Sequence, residues 1–527
     1  MRRASGASAT WDAVIVGAGP NGLAAALALA RAGRRVLVLE REPVPGGGLR
    51  SQASVFPGLR HDHCATVFAL AAASPFFNEL GIHSALPWVE SPAVLAHPLD
   101  SGDVALLWRD LQQTAVELGP DGRRYAELLG PLLAEGPALL ATLLGPLPGI
   151  FRYPGYRLPV TASLRFAHVG TGPVTSLCRS FRTERARALV AGLAAHSTLP
   201  LERAPSAAFA LVLALCAHLT GWPMVQGGAV ELARWLVEQL EAAGGTIRCS
   251  CPVERLDDLP PARAIVLDLV PHAALALARS RWPGWYRSQL ERYRPGPGVF
   301  KVDWLVRDGV PWRDERCQLA ATVHIGGSWE EIAAAERTVA QGTMPDRPFV
   351  ILVQASRFDA SRARDGIEPV WGYCHVPAGW IGDATTAIEA QIERFAPGFR
   401  ERIVARRCWR PLDLERANPN LLGGDLTGGW PTLTQLFTRP AVWPWPPYRT
   451  PDPAIFLASA ATPPGGGVHG MCGYWASRSV ERWLRQFGPS SQASLASPGR
   501  DRLAGEEQVA GPRRRQRGRV DVTTLAP

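Results

Sequence analysis

The stretch "DAVIVGAGPNGLAAALALARAGRRVLVLER", residues 12–41, decides the fold. Residues 12–16 are an apolar strand, Pro20 to Ala32 read as an Ala/Leu helix stopped at Gly33, and residues 35–40, "RVLVLE", form a second strand. A strand, a helix and a strand in this order pair in parallel. Gly17, Gly19 and Gly22 form a GxGxxG at the first strand–helix turn. The first glycine permits the tight turn, the second lets backbone approach a pyrophosphate, and the third allows close packing of helix on sheet. The helix start then offers free N–H groups and a positive dipole end to phosphates. Glu40, 18 residues after Gly22, ends the second strand. A carboxylate there accepts hydrogen bonds from adenosine ribose hydroxyls and repels a 2′-phosphate. GxGxxG alone is a weak signal, but between two strands and followed by this acid it is a strong one.

The next residues choose between dinucleotides. Glu40 is followed by "REPVPGGGLRS", with Gly46, Gly47 and Gly48 six to eight residues past the acid. Such a cluster brings a second backbone segment against the ligand. NAD dehydrogenases do not need it, whereas FAD extends beyond its pyrophosphate and does, so FAD is the expected cofactor.

A chain of 527 residues exceeds one core, and two connected domains are expected. Apolar content of 46% and charged content of 20% place it among ordinary globular proteins. The net charge of +9 is carried almost wholly by arginine, with Lys301 the sole lysine, so a Schiff-base mechanism would rest on one candidate. We read the bias as genome composition and expect no nucleic-acid partner. Nine cysteines include no CxxC or CxxxxC, and the closest pair is Cys249 and Cys251. A disulfide framework is not suggested, a reducing cytoplasmic setting fits, and a disulfide reductase would lack its dithiol. The N-terminal residues carry no apolar h-region and are not read as a secretory signal. The longest apolar run, residues 207–219, is too short to span a bilayer. It reads as a buried helix, with a membrane-dipping segment as the alternative.

The α/β pattern recurs in three blocks. After residues 10–88 the chain turns helical and loop-rich from about Val89 to Trp222. Residues 223–275 restore a helix with Val230, Ala233, Leu236, Val237 and Leu240 on one face, ended by Gly244 and Gly245, then strands at "TIRCSCPVERL" and "ARAIVLDLVP". Residues 276–450 mix strand and turn signals, and residues 451–487 return to a strand, a glycine-rich turn and a helix. Residues 488–527 are poor in large apolar side chains and are expected to be disordered; the basic run 513–519 reads as a solvated tail, with RNA or anionic lipid as the weaker reading. The fold class expected is therefore α/β: a discontinuous Rossmann-like FAD-binding domain from 10–88, 223–275 and 451–487, with a second α+β substrate domain from 89–222 and 276–450.

These stretches resemble the phytoene desaturase-like flavoproteins, relatives of the amine oxidase superfamily. "IFLASAATPPGGGVHGMCGYWASRSV" (455–480) is similar to the closing motif of that family, and "PMVQGGAVELARWLVEQLEAAGG" and "GPGVFKVDWLV" to its middle. "VHIGGSWEEI", "RFDASRARDG", "YCHVPAGW", "ERFAPGF" and "NPNLLGGDLTGGW" resemble the subgroup of pyridine nucleotide-disulfide oxidoreductase domain-containing protein 2. The resemblance covers about residues 10–487. It implies that Gly17, Gly19, Gly22 and Glu40, with Pro20 and Arg41 beside them, hold the ADP half. It implies that Gly46, Gly47, Gly48 and Leu49 line the pyrophosphate and flavin side, and that Val253 contacts adenine through its backbone. Gly466, Gly467 and Val468 would meet the pyrimidine edge of the flavin at a helix N-terminus, where the dipole favours negative charge on the reduced ring. One departure is the short link 254–263, where the family carries a longer hairpin.

Several residues have competing readings. His61 and His63 of "HDHCATVF" share one side of an extended segment; a metal needs further ligands that are not in sight, and a packed, hydrogen-bonded His-Asp-His wall is preferred. His324 and His375 in apolar strands read as structural histidines. His469, inside the glycine turn, is the expected residue nearest the reacting centre. Asp425 in "GGDLTGGW" has too few oxygen ligands around it for calcium and reads as part of a pocket-lining turn. The 18 tryptophans suit an apolar substrate.

Three functions compete. The first is an FAD-dependent oxidoreductase moving hydride between a hydrophobic small molecule, an isoprenoid among the candidates, and flavin N5; such a substrate makes peripheral membrane contact reasonable. The second is a non-catalytic binding protein on the same frame. The third is an FAD amine oxidase, which the lone Lys301 disfavours.

Overall fold

A computed structural model describes residues 10–146, 158–444 and 446–486. The segment before residue 10 and the tail from 488, with its basic run, lie outside the described residues. Two compact units divide the chain, Met1–Leu484 and Arg485–Pro527. The elements below lie in the first, apart from the last two residues of its C-terminal helix.

Strand Trp11–Val16 leads into helix Pro20–Arg31, and strand Val36–Leu39 returns parallel to the first, with Val14 opposite Leu37. Both strands are apolar because helices cover both faces of a parallel sheet, which leaves no solvent side to alternate with. Ala262–Leu267 pairs on the other flank of the first strand, followed by Ile455–Leu457, while Thr246–Arg248 lies beyond Val36–Leu39. Three separated stretches of sequence thus build one five-stranded parallel sheet. The helix after the first strand buries Leu23, Leu27 and Leu29 among alanines, each leucine stabilising by roughly 1.5–3 kcal/mol. The C-terminal helix, Met471–Gln486, crosses it at Gly473, where a Cβ would fall 1.8 Å from the Asn21 carbonyl oxygen. Glycine at that crossing lets the Gly465–Gly470 turn reach the start of the first helix.

The second layer is a seven-stranded sheet. Its order is Ile403–Trp409, Gly298–Arg307, Ile367–Val376, Val350–Val353, Ala320–Ile325, Ala93–Pro98 and Val104–Leu107. All neighbours are antiparallel except Ala320–Ile325 and Ala93–Pro98. Two expectations need correction here. The helical region does not begin at Val89, because Ala93–Pro98 and Val104–Leu107 are strands. All six residues of Ala93–Pro98 are buried, so no alternation marks it in the sequence. The expected strand 246–256 stops at Arg248. Ser250 takes φ +55, left-handed backbone that interrupts an extended chain, and Cys251 then donates its N–H to the Glu40 carbonyl at 2.8 Å.

Helices Gly122–Leu133, Glu184–Ala195 and Ser206–Thr220 pack on one end of this sheet, uniting Leu129, Leu189, Leu211 and Leu215 with Leu95 and Leu107 in one core. Among the described residues no single helix is long and apolar enough to cross a membrane. One pair bent by 75°, Gly119–Leu133 and Gly136–Leu143, meets the length and composition only jointly.

Candidate functional site

The glycine loop is tight enough that only backbone fits. Gly17 has φ +100 and donates its N–H to Leu39 O at 2.8 Å. A Cβ on Gly22 would lie 2.1 Å from Gly17 O, and one on Gly19 would lie 2.8 Å from Asp268 Oδ2. The second cluster rests on the first. Gly46 donates to Ala18 O at 2.8 Å, and a Cβ on Gly47 would reach 3.0 Å from the Gly19 Cα. Glu40 is buried, accepting the Ala18 N–H at 2.7 Å on Oε2 and the Glu42 N–H at 2.9 Å on Oε1. Each oxygen keeps a lone pair for a sugar hydroxyl. Gly19, at the helix start, supplies no side-chain cap of its own, and the buried Asn21 Oδ1 has no hydrogen-bond partner. These polar groups, with no Cβ between them, fit the phosphates and hydroxyls of a dinucleotide.

A cavity of about 850 Å³ begins here. Gly17, Gly19, Pro20, Glu40, Arg41, Gly47, Gly48, Leu49 and Val253 line it. Gly22 and Gly46 are not on its wall; they pack against Gly17 and Ala18 of the first loop. Arg41 is exposed and engages Glu42 at 2.9 Å.

Three lining residues escaped the sequence reading. Asp268 follows the strand Ala262–Leu267 and accepts the Gly22 N–H at 2.9 Å, so one donor of the helix start is already taken. Burial pushes its carboxyl up to about 7; the Gly22 N–H opposes this and the Glu40 charge adds to it. Arg50 donates to Gly47 O at 2.9 Å and Ala417 O at 2.6 Å, tying the second glycine cluster to a distant loop. Asn420 bridges Asp268 O and the Val270 N–H at 2.8 and 2.9 Å. The available signal was position: ligands of parallel sheets bind outside the carboxyl ends of the strands, where Asp268 sits.

Past the cradle, residues 64–70 form one wall. Asp62 organises it from behind, accepting from Ser51 Oγ, Thr66 Oγ1, the Ala229 N–H and Arg362 at 2.6, 2.7, 2.9 and 2.6 Å. Thr66 Oγ1 in turn accepts the Trp371 indole N–H at 2.9 Å. The expected hydrogen-bonded His-Asp-His wall is corrected in one respect. Asp62 is fully bonded, but His61 Nδ1 comes only to 3.5 Å from Asp303 Oδ1, the ring nitrogens of His63 make no hydrogen bond, and His63 packs edge-on to Trp409 at 5.2 Å. Lys301 does not line the cavity. It is buried, donates to Asp62 O at 3.1 Å, pairs with Asp303 and lies 5.2 Å over the Trp371 ring. Cys64 does line it, yet burial pushes its thiol up to about 11, so it is held neutral.

The far end is apolar. Leu213, Trp222, Ile351, Val353, Trp371 and Tyr373 line it, with Trp371 and Tyr373 stacked at 12° and 6.1 Å between centroids. Gly467 and Val468 of the closing turn also reach the cavity, whereas a Cβ on Gly466 would lie 2.5 Å from Thr427 O, on the side packed against that loop. His469 does not take the position expected of it. It is 1% exposed and absent from the cavity wall; Nδ1 accepts the Met471 N–H at 3.0 Å and Nε2 lies 3.2 Å from Gly465 O. Asp425 holds its own loop through the N–H groups of Gly296 and Gly429 at 2.8 and 2.7 Å.

A parallel sheet with this glycine cradle, joined to a second sheet across one cavity, defines a Rossmann-type dinucleotide-binding oxidoreductase fold. Residues 15–80 match the NAD(P)-binding Rossmann-like domain. The chain is homologous to pyridine nucleotide-disulfide oxidoreductase domain-containing protein 2 of Rattus norvegicus. The two are 24% identical over 554 residues, covering 90% of this chain and 94% of that protein. A shorter stretch of 125 residues is 34% identical to one component of the limonene dehydrogenase of Castellaniella defragrans, covering 24% of this chain and 22% of that one. Among solved structures, cyclohexylamine oxidase from Brevibacterium oxydans shares the fold with a TM-score of 0.54 and 16% identity, over 90% of this chain and 100% of that one. The fold is thus shared with this amine oxidase over nearly the whole of both chains.

Proposed function

We propose that this protein is an FAD-dependent oxidoreductase acting on a hydrophobic small molecule, with isoprenoids the leading class. One observation carries the reading. A single cavity runs from the glycine cradle and Glu40 to the apolar wall of Trp371 and Tyr373. Its first half suits a dinucleotide, and its second half suits an apolar body held against that dinucleotide. Bound FAD would supply hydride chemistry at N5. The protein's part is to bind and orient. Gly17, Gly19, Gly47 and Gly48 would admit the pyrophosphate, Glu40 the ribose, and Gly467 and Val468 the ring edge. Ile351, Val353, Trp371 and Tyr373 would keep water from the reacting face. The similarity to the limonene dehydrogenase component supports a terpene-like substrate. Amine oxidation is less well supported, because Lys301 is locked behind the wall with Asp303. Disulfide reduction would need a closely spaced dithiol, and the sequence has no CxxC or CxxxxC.

The test is an absorption spectrum of the purified protein, then FAD analysis after heat release and anaerobic reduction with apolar candidates. Flavin bands, released FAD and bleaching by a terpene are expected. A colourless protein that takes up no added FAD would overturn the reading.

A further inference from the structure

The apolar half of the cavity contains a polar group without a partner. Thr322 lies on the cavity wall and is 3% exposed, and its Oγ1 makes no hydrogen bond. A buried hydroxyl left unpaired is costly and calls for a partner that the protein does not provide. Two residues along the same strand, and so on the same face, His324 meets His196 Nε2 to Nε2 at 2.9 Å. His196 reaches the cavity wall and is half-buried. With Nε2 committed to His324, its Nδ1 has no hydrogen-bond partner among the described residues. The pair is enclosed by aromatic rings: His324 is 5.4 Å from Phe349 and 6.3 Å from Trp222, and His196 is 6.0 Å from Trp222. The geometry also fixes Gly192 on the helix behind, where a Cβ would lie 2.7 Å from His324 Nδ1 and 3.2 Å from His97 Nδ1.

We infer that Thr322 Oγ1 and His196 Nδ1 form a polar anchor for one neutral oxygen function, a hydroxyl or carbonyl, on an otherwise apolar substrate. This deepens the oxidoreductase reading and rests on it for the identity of the cavity. Thr322 can donate or accept, and a neutral imidazole can do either according to tautomer. Both histidines are held neutral, because burial drives His196 down to about 3 and His324 well below its ordinary value. The acidic lining residues, Glu40, Glu42, Glu254 and Asp268, all belong to the dinucleotide half. The buried Glu336 behind Tyr373 is already held by His375 Nδ1 at 2.9 Å, so an ammonium group would find no carboxylate on the wall beside the anchor, and the site favours an alcohol or ketone over an amine.

The test is a matched ligand series on the purified full chain, titrated by tryptophan fluorescence. Limonene, perillyl alcohol and perillylamine share one carbon skeleton and differ in the polar group. Perillyl alcohol is expected to bind about tenfold or more tightly than limonene, as a hydrogen bond gained by an otherwise unpaired buried group allows. Perillylamine is expected to bind no better than limonene. Thr322→Val, which keeps shape and removes the hydroxyl, should abolish most of the alcohol preference, read as the ratio of alcohol to limonene affinity within the same variant, and His196→Phe should do the same. Equal affinities for alcohol and hydrocarbon in the unmodified protein, including binding of neither, would overturn the anchor. So would tightest binding of the amine, or a preference that survives both substitutions. Failure to take up FAD overturns the oxidoreductase reading separately, and the ligand series still decides the anchor.

Discussion

Arg362 donates through Nη1 to Asp62 Oδ2 at 2.6 Å, with both side chains sealed from solvent at 4% and 0% exposure. Arg362 also donates to Asp359 at 2.9 Å, and Asp62 caps the start of helix Ala229–Ala242 through the Ala229 N–H. One ion pair thus ties the cavity wall, the second sheet and the dinucleotide half together. Removing one partner leaves a buried charge uncompensated, which costs about 3–5 kcal/mol. Arg362→Met is expected to lose that amount in urea denaturation at pH 7. Burial alone would raise the Asp62 pKa, but the Arg362 charge and the bonds from Ser51, Thr66 and Ala229 outweigh it and hold the group below 3.8. Its contribution is therefore complete above the ordinary carboxylate range and fades as pH falls through the lowered value. The gap between variant and parent should narrow below about pH 4.

Asp268 titrates in the opposite sense. Its pKa is raised to about 7 from 3.8, so between these values the folded chain keeps a proton that the unfolded chain has lost. Stability then falls as pH rises from 3.8 to about 7 and levels off above. Asp268→Asn keeps an acceptor for the Gly22 N–H and removes the titration. It should be more stable than the parent at pH 8 by at least about 1.4 kcal/mol, the equivalent of one pKa unit, and equal to it near pH 4. A dinucleotide pyrophosphate would add like charge beside the same group, so FAD should bind the variant more tightly at pH 8 and equally at pH 5. A pH-independent difference in melting temperature would show that the carboxyl is not protonated in the folded chain.

Residues 12–41 carried the first βαβ unit in plain form, because the Gly17–Gly22 spacing, the Ala/Leu helix and Glu40 are each local and mutually consistent. The cradle was legible for the same reason. The seven-stranded sheet was not. Ala93–Pro98 is buried along its whole length, so no alternation marks it, and beyond its hairpin with Val104–Leu107 across the turn 99–103 it pairs with residues more than two hundred positions away, which nothing local announces. Asp268 and Arg50 were missed because their roles depend on where a strand end and a distant loop meet. His469 was misplaced for a related reason. Proximity in sequence to a ligand-facing turn does not say which way a ring points, and here it points back into the turn.

Glu40 gives a direct test of the cofactor. Its oxygens hold the Ala18 and Glu42 N–H groups, and their remaining lone pairs are the expected ribose acceptors. Glu40→Gln would replace a charge-assisted acceptor with an amide that presents one acceptor and one donor edge. Loss of a hydrogen bond to a charged group costs about 1.5–3 kcal/mol, which corresponds to roughly ten- to hundredfold weaker FAD binding. The expected outcome is that weakening in a fluorescence titration of apoprotein with FAD, with far-ultraviolet dichroism unchanged. Undiminished affinity would remove Glu40 from the cofactor site.

His469 separates a structural role from a chemical one. Burial lowers its pKa to about 4, against a smaller opposing effect from the hydrogen bonds to Gly465 and Gly466, so the ring is neutral above about pH 5. Its Nδ1 is the acceptor for the Met471 N–H at the start of the C-terminal helix. His469→Ala leaves that donor buried and unpaired, at a cost of about 1–3 kcal/mol. The stability it confers is full above pH 6.5 and is lost as pH falls from 6.5 toward about 4, because there the unfolded ring gains a proton before the folded one does. The expected result is a lower melting temperature at pH 7.5, a smaller difference at pH 5, and partial recovery in His469→Gln, which restores an acceptor. Once a substrate is known, the rate of flavin reduction in the parent should show no inflection belonging to His469 between pH 5 and 8. An inflection in that range that disappears in His469→Gln would return the residue to the reacting centre.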